Sequence, residues 1–136
     1  MYVQSPTVGR VGRALFATTM ALVCVATGSN CGSGPSEPAP TDAAATFTFT
    51  SSGVSPKEAR VPFGSRVLFV NNDSQPHAVS SDPFNVHTDC PPINEVGTLP
   101  PGQSRTTGRL QNIRTCGFHD HNNEADTRWA GRIIVE

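Results

Sequence analysis

The sequence predicts an all-β domain, an antiparallel β-sandwich of Greek-key type. Three observations point there. Short runs of β-branched and aromatic residues recur along the chain, turns rich in Gly, Pro and Asn separate them, and no window carries the 3.6-residue apolar period of an amphipathic helix. Thr46-Phe47-Thr48-Phe49-Thr50 alternates aromatic and hydroxyl side chains, which puts both phenylalanines on one face of a strand. Ser51-Ser52-Gly53 is a turn signal, and residues 54–61 continue extended, with Pro56 tolerable at an edge or a strand start. After the turn Pro62-Phe63-Gly64-Ser65, the run Arg66-Val67-Leu68-Phe69-Val70 has the near-continuous apolar character of a strand buried on both faces. A short strand is expected over 77–80. Residues 82–98, with Pro83, Pro91 and Pro92 and little periodicity, read as a long functional loop. Residues 105–110 and 113–118 are expected to pair as strands across Gln111-Asn112, and 131–135 to close the sheet.

The first part of the chain reads differently. Arg10 and Arg13 precede an apolar run over 14–27 that is short for a bilayer span and has the layout of a secretory signal, giving a signal peptide over 1–30. Cleavage could fall near Val25-Ala26-Thr27-Gly28, or immediately before Cys31, which would then be lipidated; both remain open. A flexible Gly-, Pro- and Ala-rich tether follows over 31–45, leaving 46–136 as the folded domain. Loss of the signal removes two arginines and no acids, so the formal charge moves from −1 to −3. The remaining basic residues are scattered singly, without the basic stripe interleaved with aromatics that nucleic-acid binding requires.

All four histidines, His77, His87, His119 and His121, fall in the last half of the chain, and His119 and His121 sit in Cys116-Gly117-Phe118-His119-Asp120-His121. Imidazole is the commonest side-chain ligand for transition metals, so this concentration points to a metal site. The neighbourhood has a recognisable order: Asn71-Asn72-Asp73 running into Pro76-His77, then Pro100-Pro101-Gly102, then the Cys/His cluster, then Gly131-Arg132-Ile133-Ile134-Val135. It resembles the cupredoxins, the plastocyanin-like copper proteins, over about residues 54–135.

That resemblance implies a cupredoxin-like sandwich and copper as the cofactor. His77 matches the family's first ligand, after an Asn-rich strand end, and Cys116-x-x-His119 matches its Cys-x-x-His. The candidate ligands are therefore His77, Cys116, His119 and His121, with His87 by default a solvated loop residue. Aligned on the last strand, Trp129 stands where the family carries methionine, and the thiolate position falls nearer His119 than Cys116. Cys90 and Cys116 are also the two cysteines that remain in an exported domain if Cys31 is lipidated, and such a pair favours a disulfide. Thiolate ligand and disulfide are both open at this point. Asp120 would orient an imidazole N–H, and Asn71 and Asn72 would tie the loops.

Three functions follow. A thiolate site implies electron transfer with a redox partner protein. An imidazole-only site implies a copper carrier or sensor that meets copper donors and acceptors, and a decayed site a metal-free structural sandwich. No Ser-His-Asp arrangement, phosphate loop or carboxylate pair argues for an enzyme. The signal implies a periplasmic, envelope-anchored or secreted protein, in contact with membrane only through a lipid on Cys31.

Overall fold

The computed structural model describes residues 42–136, so the signal over 1–30, Cys31 and most of the tether lie outside the described residues. Among the described residues nine strands are laid down in chain order: β1 Ala43–Thr50, β2 Gly53–Ser55, β3 Glu58–Val61, β4 Arg66–Asn71, β5 His77–Ser81, β6 Gly97–Leu99, β7 Ser104–Thr106, β8 Thr115–Asp120 and β9 Gly131–Val135. They form one sheet of order β2-β1-β4-β7 and another of order β3-β9-β8-β5-β6. The Thr-Phe alternation of β1 does what its period dictates: Phe47 and Phe49 are fully buried between the sheets while their neighbours face outward.

The aromatic core joins the sheets. Phe47 stacks on Phe69 of the adjacent strand at 5.4 Å, and both meet Phe118 of the opposite sheet edge-on, at 4.8 and 5.0 Å. Burial of each such ring contributes about 1.5–3 kcal/mol, and edge-to-face contacts add about 0.5–1.5 kcal/mol. Val67, Val79, Leu99, Ile133 and Val135 fill the space around them.

The all-β sandwich is as the sequence implied, but its pairing is mixed. β1 runs parallel to β4, with Phe47 opposite Phe69, and β3 runs parallel to β9, with Ala59 opposite Ile133. The expected hairpin of 105–110 with 113–118 does not form. β7 ends at Thr106 and pairs with β4, whereas β8 lies in the other sheet between β5 and β9. Thr107 is the reason: its hydroxyl accepts the Val67 N–H at 3.1 Å, and its own N–H donates to the Val67 carbonyl, so the chain stays on β4. Leu110, two residues before Asn112, then donates to Ser65. β1 also begins at Ala43, inside the expected tether, and the long loop over 82–98 contains a 3-10 turn, Pro91–Glu95, and the start of β6.

Candidate metal centre

β8 decides where the histidines go. Alternate residues of a strand face opposite ways. Cys116, Phe118 and Asp120 point into the sandwich, so Gly117 and His119 lie on its outer face, and the chain turns into a 3-10 segment, His121–Asn123, only after Asp120. His77 has the inward parity of β5, along with Val79 and Ser81.

The inner face holds a buried polar network. His77, 1% exposed, places Nδ1 2.8 Å from Asp120 Oδ2 and Nε2 3.1 Å from Asp73 Oδ2. Ionised carboxylates only accept, so the geometry requires hydrogen on both ring nitrogens or a protonated carboxyl. Phe49 stacks on one face of the ring at 4.7 Å and Trp129 packs at 4.4 Å. Asp120 also accepts from the Ala78 and Asn122 backbone and from Asn123 Nδ2. Asn71 fastens the adjoining turn, donating to the carbonyls of Gln75 and Leu99 and accepting from Asp73 N–H.

The outer face gathers the other three histidines. One ring nitrogen each from His87, His119 and His121 lies within 4.8 Å of the others. His119 Nδ1–H donates to Asp82 Oδ1 at 2.7 Å, and His87 Nδ1–H donates to the Ser81 carbonyl at 3.0 Å. These bonds fix the tautomers and leave both Nε2 lone pairs free. His87 is held in the left-handed region at φ 54°, as is Asn85 at φ 71°, and Asn94 Nδ2 donates to its carbonyl. Phe84 covers the group, with ring centroids 5.8, 5.9 and 6.5 Å from His119, His121 and His87.

A transition metal fits this donor set. His119 Nε2 is buried and has no hydrogen-bond partner, a state that is costly for a lone pair unless something else fills it. Ser81 Oγ is the other such atom among the described residues, on the inward face. Nitrogens around a tetrahedral ion stand about 3.3 Å apart, so small side-chain rotations would close the three imidazoles on one ion.

No protein-family model matches the chain, and no curated protein matches it. Solved structures do. The purple cupredoxin of Nitrosopumilus maritimus aligns over 68% of this chain and 99% of its own at 16% identity and TM-score 0.53. The amicyanin of Paracoccus versutus aligns over 71% and 84% at 18% identity and TM-score 0.55. The oxidised plastocyanin of Dryopteris crassirhizoma aligns over 67% and 99% at 14% identity and TM-score 0.52. The fold is that of the cupredoxins.

Within this cupredoxin fold the candidate ligands do not all meet. His77 stands apart, because it faces inward on β5 and two carboxylates already engage its nitrogens. Cys116 is bonded to Cys90 in a disulfide, so its sulfur is not a free thiolate. His87, the candidate given least weight, joins His119 and His121. Trp129 packs on His77 in the core, and Asp120 holds His77 in place of a metal-ligating imidazole. Asn72 contributes a backbone bond to Phe49 rather than a side-chain tie. Sequence reasoning missed Asp82 as the partner of His119; the available signal was Gly117, which leaves bare the strand position next to it on the same face.

The inner network predicts an acid response of the metal-free domain. Burial works to raise the Asp120 carboxyl, but hydrogen bonds from Asn123, His77, Ala78 and Asn122 together outweigh it and hold the group below the usual carboxylate value. A depressed folded-state value gives stability that is present above the unfolded value, near pH 4, and is lost as pH falls through the folded one. Thermal melts should therefore fall below about pH 4, and Asp120→Asn should melt lower at neutral pH with a shallower acid limb. An unchanged acid limb in that variant would remove Asp120 as its source.

Proposed function

We propose that the chain is an exported copper-binding protein whose ion is held by the imidazoles of His87, His119 and His121, a histidine-ligated copper carrier or sensor. The observation that carries this reading is the buried, unpartnered Nε2 of His119, with two further imidazole nitrogens close by. Imidazole suits copper, and the neighbours of the same fold are cupredoxins by name. Copper supplies a one-electron redox couple and strong affinity for nitrogen. The chain's own part is to fix the imidazoles through Asp82 and Ser81, and to cover them with Phe84. Copper-donating and copper-accepting proteins are the partners this reading implies.

Electron transfer with a redox partner is the second reading. It is favoured by neighbours of the same fold that were characterised in oxidised form, as the fern plastocyanin, and reduced form, as the auracyanin of Roseiflexus castenholzii. Export is supported by the signal-like start and by the disulfide, a bond that persists in oxidising compartments. Among the described residues no helix is long and apolar enough to cross a membrane, and an anchor would be a lipid on Cys31.

The test is a Cu(II) titration of the domain with a free-thiol count. One ion per chain, pale colour and no free thiols are expected. Intense thiolate-to-copper absorption, or no binding in competition with a weak chelator, would overturn the proposal. Reversible voltammetry of the loaded domain would move the balance to electron transfer.

A further inference from the structure

We infer that Asp82 is a positioning residue for the metal centre and that Gly117 is the seat that lets it act. This rests on the reading of His87, His119 and His121 as the ligands. Asp82 touches His119 at Nδ1 and reaches no other histidine of the group by a hydrogen bond. Its backbone is pinned from both sides: Asp82 N–H donates to the Gly117 carbonyl at 3.0 Å, and Asp89 N–H donates to the Asp82 carbonyl at 2.8 Å.

The carboxylate then lies across Gly117. A β-carbon at that position would collide with Oδ2 and come within 2.8 Å of Cγ of Asp82. Gly117 has no positive φ, so the backbone would accept alanine, and what excludes a side chain there is the Asp82 carboxylate. Gly117 and His119 are two apart and share the outer face of β8. Removing the side chain at one therefore opens the path along which Asp82 reaches the other.

The chemistry follows from the bond. An anionic acceptor on Nδ1–H orients the ring, fixes the hydrogen on the far nitrogen from the metal, and makes Nε2 a stronger donor. The Asp82 side chain is 43% exposed and borders an open groove with Asp89, Thr115 and Arg132. A methyl group at Gly117 would thus push it outward into water, breaking the bond to His119 while the core behind β8 stays in place.

The experiment is a double-mutant cycle on the domain, with Cu(II) affinity measured by chelator competition and metal-free melting measured alongside. Gly117→Ala and Asp82→Ala should each weaken Cu(II) binding by about ten- to a hundredfold, the scale of outer-shell losses. Metal-free melting should shift little in either. The combined variant should bind no more weakly than Asp82→Ala alone, because Gly117 acts only through Asp82. A Gly117→Ala protein with unchanged affinity overturns the inference, and so does a Gly117→Ala loss that persists in full when Asp82 is already alanine. His119→Ala run in parallel separates the levels: if it binds Cu(II) as the parent does, the metal centre itself is wrongly placed.

Discussion

His119→Ala should lower Cu(II) affinity by more than about a hundredfold, beyond the range for outer-shell groups, because on the proposed reading it removes a ligand and not a support. His119 is the buried member of the group and carries the oriented, unpartnered nitrogen, so the other two imidazoles cannot replace it. His77→Gln should give the opposite pattern. It disturbs a buried imidazole between two carboxylates, a kind of change that costs about 3–5 kcal/mol of stability, and leaves the outer donors untouched. Chelator competition on the folded fraction of both variants is the measurement. A large loss of affinity in His77→Gln with none in His119→Ala would place the ion on the inner face.

Cys90→Ser and Cys116→Ser should destabilise the domain equally. The bridge spans a sequence separation of 26, for which the chain-entropy model gives about 3.5 kcal/mol, a large share of the 5–15 kcal/mol typical of a whole domain. Both cysteines are buried, at 3% and 1% exposed. Urea unfolding of the two variants and of the reduced parent should give matching losses. The bridge also joins the strand of His119 to the loop of His87, with each cysteine three residues from its histidine, so the same variants should bind Cu(II) more weakly. A loss confined to Cys116→Ser would indicate a thiolate ligand instead.

The strands of this domain were legible because their signal is local. The alternation of residues 46–50 and the apolar run of 66–70 need no knowledge of partners. Partner choice is not local, which is why the parallel pairing of β1 with β4 and the departure of β7 from β8 could not be read from turn chemistry alone. The site was half legible for the same reason. Histidine count and spacing marked the region, but the face each ring takes depends on strand bounds and parity, which send His119 outward on β8 and leave His77 inside on β5. His87 shared in that count but carried the least weight, because it reaches the group by a left-handed turn in a segment without periodicity.

The inner network bears on the stability of the domain without metal. His77, Asp73, Asp120 and Trp129 close that end of the sandwich with the chain's own groups, so no ion is needed to fill it. Many small metallodomains unfold when stripped, because binding energy and folding energy are the same quantity. Here, on the proposed reading, the two should be separable. A chain built this way should resist proteases whether copper is scarce or plentiful, and its cellular abundance should follow its synthesis rather than the metal supply.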